Sequence, residues 1–120
     1  MANYAKIKPL LPTLKEKKRY LAFEIVSKRK IKGFSSISKE IWNAMLSFIG
    51  SKGTAEAGLW VFPEKYNPAK QRGLLKITHR SLDKARASLA LITQIDNQPV
   101  IVRSLGASGI MRKAEQKYIG

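Results

Sequence analysis

The sequence contains no cysteine. Disulfides, zinc knuckles and thiol catalysis are therefore excluded. It contains one histidine, His79, with no acid beside it in the chain. A metal or catalytic role for that histidine has no visible support, and a strand-end or hydrogen-bonded side chain is expected. Acids are scarce: Glu16, Glu24, Glu40, Glu56, Glu64, Asp83, Asp96 and Glu115 are the full set, and none cluster. A two-metal nuclease centre needs several carboxylates converging on one point. No catalytic residue, no protein-held metal and no protein-held cofactor are expected. Long apolar runs are also missing. None approaches the roughly 20 residues that cross a bilayer, and the first residues lack the apolar core of a signal peptide. The expectation is a soluble, cytoplasmic protein with no membrane partner.

What the chain does have is positive charge. Lys and Arg number 23 against 8 acids, for a formal net charge of +15. A surface that basic repels itself unless it meets an anion. Nucleic acid, an acidic membrane and an acidic protein all qualify. Ten of the 23 basic residues fall in residues 1–32, against two acids there. The densest runs are Lys15, Lys17, Lys18 and Arg19, then Lys28, Arg29, Lys30 and Lys32. A solvated lysine-rich surface is the bland alternative. Clustering together with net charge favours phosphate binding, because every phosphate neutralised releases counterions.

A length of 120 residues suits one domain with a single modest core. Residues 1–18 form a basic leader in which Pro9 and Pro12 block a regular helix. Residues 19–120 then alternate between two periods. Arg19 to Val26 is a strand, with Leu21, Phe23 and Ile25 on one face. Ser35, Ser36 and Ser38 are N-cap candidates for a helix whose apolar stripe is Ile37, Ile41, Met45 and Phe48, flanked by Trp42, Leu46 and Ile49. Gly50 and Gly53 are expected to end it. Gly58 to Phe62 is a short aromatic strand closed by Pro63, and Glu64 to Gln71 is a turn. Gly73 to His79 is a third strand. Ser81 caps a helix carrying Leu82, Ala85, Leu89 and Ile92. Asp96-Asn97 is a turn, Val100 to Leu105 a fourth strand, and Ile110 to Tyr118 a last helix.

The order β-α-β-β-α-β predicts an α+β, ferredoxin-like sandwich. Right-handed crossovers put both main helices on one face of a four-stranded antiparallel sheet. The strands are apolar on both faces, which an antiparallel sheet with one wet face is not. Something must cover the second face: the C-terminal helix, the leader or another protein. The C-terminal helix is expected there, through Ile110, Met111, Ala114 and Tyr118, with Arg112, Lys113 and Lys117 outward.

Two short motifs bear on RNA. Arg72 to His79 opens like the RNP1 signature but lacks the aromatic rings that stack bases, so it is a false match. Gly106-Ala107-Ser108-Gly109 sits between Arg103 and the pair Arg112, Lys113. It fits a phosphate at a helix N-terminus, and equally a plain turn with Ser108 as N-cap. It is not a P-loop, having no Gly-Lys-Ser/Thr. The candidate RNA contacts are Lys15, Lys17, Lys18, Arg19, Lys28, Arg29, Lys30, Arg103, Ser108, Arg112 and Lys113. Tyr20, Trp42 and Trp60 are candidates for packing or a protein interface.

Leu11-Pro12-Thr13-Leu14-Lys15-Glu16-Lys17-Lys18-Arg19-Tyr20 resembles the opening of the archaeal ribonuclease P protein component 2 family. Ile41-Trp42-Asn43 is similar as well, and so is Val102-Arg103-Ser104-Leu105-Gly106-Ala107-Ser108-Gly109 followed by Arg112. The likeness runs from about Leu11 to Tyr118. Ile110 departs from the small polar residue expected there, usually threonine. The resemblance implies the ferredoxin-like fold. It also implies service in the ribonucleoprotein that removes the 5′ leader of precursor tRNA, where RNA is the catalyst and holds the magnesium. It implies component 3 as direct protein partner, with components 1 and 4 in the same particle. Two rivals remain: a ribosomal or other general RNA-binding protein, and a small phosphohydrolase of the acylphosphatase type.

Overall fold

A computed structural model describes residues 17–120. Lys15 and the rest of the expected leader, up to Glu16, lie outside the described residues. Strand β1 (Lys18–Ser27) is buried on both faces in its middle, at Leu21, Ala22 and Phe23. Its odd positions Leu21, Phe23 and Ile25 enter the main core with Ile37, Ile41 and Met45 of helix α1 (Phe34–Ala57) and Ala85 and Leu89 of helix α2 (Leu82–Ala90). Both long helices therefore lie against one face of the sheet. The even position Ala22 belongs to a second apolar cluster on the opposite face.

The sheet has five strands, not the expected four. They are β1, β2 (Trp60–Val61), β3 (Arg72–Thr78), β4 (Gln94–Ile95) and β5 (Gln98–Ser108), in the order β2-β3-β1-β5-β4, every neighbouring pair antiparallel. The extra strand comes from the Asp96-Asn97 turn. Both residues have positive φ, 53° and 62°, the geometry of a tight two-residue hairpin whose twist matches its strands. Two residues of β4 are too few to leave a period in the sequence. β5 also runs on to Ser108 past the expected stop at Leu105. It survives Gly106 through a register shift opposite Ala22 and Phe23, where Ala22 pairs with Gly106 and Phe23 with Ser104. Leu105 is the extra residue of that bulge.

Helix α1 begins at Phe34 with Gly33 as N-cap and no side-chain cap, so Ser35, Ser36 and Ser38 lie inside it. Gly50, at φ 77° and ψ 175°, breaks the helix as glycine permits. The chain then resumes helical turns to Ala57, where Gly58 in the left-handed region donates its N–H to the Ala55 carbonyl. Gly53 does not end the helix. Phe48 and Leu46, which precede the kink, are partly exposed, at 47% and 41%. Likewise Ser81 precedes α2 without a side-chain cap hydrogen bond.

The second face is covered by helix α3 (Met111–Ala114) and the π-turn Glu115–Ile119 that continues it. Ala114 and Ile119 are buried against Ala22, Phe62 and Leu74, with Tyr20, Leu105, Met111 and Tyr118 at the margin. Ile119 takes the place expected of Ile110, which is half exposed. The wider π-turn aligns residues five apart, a spacing that helical periodicity does not anticipate. Arg112, Lys113 and Lys117 face outward. Hydrogen bonds tie down the last turn: Asn67 Nδ2 donates to the Ile119 carbonyl at 3.2 Å, Arg72 Nη1 to that of Tyr118 at 3.1 Å, and Lys70 Nζ to that of Gly120 at 2.9 Å. Cations at carbonyls left over from a helix end are favourable. Lys65 adds an ion pair to Glu115 at 3.2 Å.

Candidate nucleic-acid interface

Antiparallel pairing decides which basic residues meet. β1 pairs Lys18 with Thr78 of β3 and Tyr20 with Ser108 of β5. The start of β1, the end of β3 and the end of β5 therefore share one end of the sheet, and α3 starts there too. The segments 17–20, 75–81 and 106–114 supply Lys17, Lys18, Arg19, Lys76, Arg80, Arg112 and Lys113, and contain no Asp or Glu. Lys17, Arg80, Arg112 and Lys113 are exposed; Lys18, Arg19 and Lys76 are half-buried. Arg19 is held by its own strand, donating from Nη1 to the Lys18 carbonyl at 3.1 Å. The same guanidinium lies beside Gly109, where an added Cβ would sit 3.1 Å from Nη1. The main-chain N–H of His79 donates to the Lys17 carbonyl at 2.8 Å and closes this end, with the imidazole exposed. So many like charges on one rim raise the local potential and attract a polyanion.

Of the eleven candidate RNA contacts, the ten among the described residues do not form one patch. Lys17, Lys18, Arg19, Ser108, Arg112 and Lys113 belong to the end just described. Lys28, Arg29, Lys30 and Arg103 lie toward the other end of β1, a strand of ten residues, so the groups are separated by up to about 30 Å. The second group is also partly engaged. Lys30 Nζ donates to the carbonyls of Pro68, at 3.1 Å, and Ala69. Gln98 Nε2 donates to the Arg29 carbonyl at 3.0 Å. Arg103 is bound by Glu24 through Nε at 2.7 Å and Nη2 at 2.6 Å. The other carboxylate oxygen of Glu24 accepts from Arg72 Nε at 2.9 Å. The three side chains form a row across β3, β1 and β5 on the α3 face. The Arg72 hydrogen bond, opposed by desolvation and helped by Arg103, holds the Glu24 carboxyl below its ordinary value. Lys28 and Arg29 remain exposed, and an open groove of about 460 Å³ beside them includes Asp96 in its lining.

Ser108 does not cap a helix. Its hydroxyl accepts the Ile110 N–H at 3.1 Å and Ile110 is the N-cap of α3. The α-helical part of α3 is four residues long, too short for the aligned amides that hold a phosphate. Of the aromatic candidates, Tyr20 is half-buried with its ring 6.1 Å from that of Phe62. Trp42 packs on the main core, and Trp60 is half exposed. Lys76 and Arg80 were missed by sequence reasoning. Neither sits in a basic run, and only strand register brings them to this end. Among the described residues, no three His, Asp or Glu side chains gather into a metal cluster. Nor is any described helix long and apolar enough to cross a membrane.

A family model described as Rpp14/Pop5 matches residues 19–119. The chain belongs to the Rpp14/Pop5 family. Similar curated proteins carry the name ribonuclease P protein component 2. One from Thermococcus kodakarensis is 34% identical over 95% of this chain and 92% of its own length. Another from Methanocaldococcus jannaschii is 37% identical over 95% and 81%, and one from Methanosarcina mazei is 33% identical over 94% and 93%. A chain in the cryo-EM structure of yeast ribonuclease MRP has the same fold, with TM-score 0.58 and 16% identity over 78% of this chain and 75% of that one. The Rpp14/Pop5 match ends at Ile119, the residue that seats α3 on the sheet. The matched region thus includes the cover of the second face as well as the βαββαβ core.

Proposed function

We propose that this Rpp14/Pop5 chain is a protein subunit of ribonuclease P that binds and supports the catalytic RNA and contributes no catalytic residue. One observation carries the RNA-binding part: the sheet end built from residues 17–20, 75–81 and 106–114 holds seven Lys and Arg and no acid. Positive charge there offsets phosphate repulsion and lets a large RNA close on itself and on precursor tRNA. Magnesium belongs to the RNA in this reading, in keeping with the dispersed acids. The particle works in the cytoplasm. Component 3 is the direct protein neighbour, with components 1 and 4 elsewhere in the particle. Leu46 and Phe48 of α1 offer apolar surface for a protein contact. A ferredoxin-like arrangement with β4 added at its edge is part of this reading, and the order β2-β3-β1-β5 supports it.

The test is precursor-tRNA cleavage by ribonuclease P RNA with and without this chain and its protein neighbour. Faster or lower-magnesium cleavage with the chain present is expected. Cleavage that is indifferent to the chain would refute the assignment. Ribosomal subunits co-purifying with the chain would favour the general RNA-binding reading. Turnover of a small phosphoester by the protein alone would favour a phosphohydrolase.

A further inference from the structure

Trp60 is the largest side chain left half in water, with 52% of its surface exposed. Residues two apart on a strand share a face. Phe62, just beyond β2, is buried in the second cluster with Ala22 and Leu74, so Trp60 stands on that same face, closer to the basic end. α3 covers Ala22, Leu74 and Phe62. Register places Lys76 directly opposite Trp60 on one side and opposite Tyr20 on the other. Side chains so paired have Cβ atoms about 4.5–5.5 Å apart. The row across β2, β3 and β1 is therefore indole, ammonium, phenol. Tyr20 is committed to Phe62. The indole has no such ring neighbour, since the ring pairs among the described residues are Tyr20–Phe62 and Phe34–Tyr66. No acid lies in the segments around it, 58–61, 75–81 and 17–20.

We infer that Trp60, with Lys76 beside it, is a stacking site for an unpaired RNA base. The inference rests on the RNA-binding reading above and adds to it a preference for single strands. A flat indole accepts the face of any base, and a neighbouring ammonium meets the phosphate that accompanies it. Bases inside a helix are already stacked on both sides, so an unpaired base, or the last pair of a duplex end, is what has a face to offer. An aromatic anchor for a protein partner would have similar exposure. The surrounding charge decides for RNA: Lys76 and Lys18 share the face of Trp60, and Lys17, Arg19 and Arg80 add positive charge at the same end of the sheet.

The test uses the full chain, a labelled single-stranded RNA oligonucleotide and a long RNA duplex in which the two end pairs are a small fraction of the sites, at one fixed salt concentration. Trp60→Ala should weaken single-strand binding about tenfold, as removal of one base stack does. Duplex affinity should be unchanged, and Trp60→Phe should retain most of the single-strand affinity. In a Trp42→Phe chain, where Trp60 is the remaining tryptophan, single-stranded RNA should quench the emission and duplex should not. Equal weakening for both RNAs, no change for either, or no quenching would overturn the inference. If Lys17→Ala with Lys18→Ala still weakens both RNAs, the electrostatic reading survives that failure and Trp60 becomes a protein anchor. A wild-type chain that binds neither RNA would overturn the RNA-binding reading and this inference with it.

Discussion

Gly106 lies under the ring of Tyr118. A Cβ added there collides with the Tyr118 hydroxyl and ring. Its φ is outside the positive range, so strain in the backbone is not at issue. Replacing glycine by alanine within a strand should by itself help, by about 0.5–1 kcal/mol. The collision works the other way. Overpacking costs about 1–3 kcal/mol if the ring is forced aside. If instead the whole of α3 lifts, Ile119 loses its cover, and uncovering one such side chain costs about 1.5–3 kcal/mol. The hydrogen bonds to the Tyr118 and Ile119 carbonyls would go with it. Net of that gain, Gly106→Ala should destabilise the chain by about 0.5–2 kcal/mol in urea unfolding. In a Tyr118→Ala background the same change should be neutral or mildly stabilising, giving a coupling energy of similar size. Equal effects in both backgrounds would mean that Tyr118 does not sit on Gly106 and that α3 does not pack on this face in solution.

Three further outcomes follow from the same packing and charge. Glu24 has a lowered pKa, so its pairing stabilises the fold above the ordinary carboxylate value and is lost as pH falls through the lower folded value. Glu24→Gln should lower Tm at neutral pH by an amount matching about 1–3 kcal/mol and make the acid-side loss of Tm shallower than in the wild type. An identical pH profile would show that the Arg72–Glu24–Arg103 row is not formed in solution. Deleting residues 109–120 should bare Ala22, Leu74 and Phe62 and cause unfolding or self-association, visible by light scattering. A monomeric truncation with unchanged Tm would make α3 an RNA arm only. The purified chain should not cut precursor tRNA at a single site with magnesium present, and a single-site product would refute the proposal that it contributes no catalytic residue.

The long apolar alternations were legible because they bury on both sides. Leu21, Phe23 and Ile25 faced the helices as their period required, and the surplus Ala22 and Leu74 correctly implied a cover for the second face. Short-range geometry was not legible. β4 rests on two positive-φ residues, and Ile119 replaces Ile110 because of a π-turn. Gly50 breaks α1 as expected, but helical turns resume beyond it to Ala57, which the glycine alone does not tell. The basic runs were visible as runs, but their division between two ends of β1 is a matter of pairing. Lys76 lies alone between Leu75 and Ile77, and nothing in its neighbours tells that it stands between Trp60 and Tyr20. Arg103 looked free because its partner, Glu24, is far away in the chain.

The central claim is that RNA meets the acid-free end of the sheet and not simply a protein of high net charge. Two variants that remove equal charge test it: Lys17→Gln, Lys18→Gln and Lys76→Gln together, against Lys28→Gln, Arg29→Gln and Lys32→Gln together. Affinity for ribonuclease P RNA is measured over a range of salt concentrations for each. Every phosphate that a variant no longer neutralises should flatten the plot of log affinity against log salt by about 0.7–0.9. The slope should be flatter by roughly 2 for the first variant and close to wild type for the second. Equal flattening in both, or flattening in the second alone, would contradict the claim.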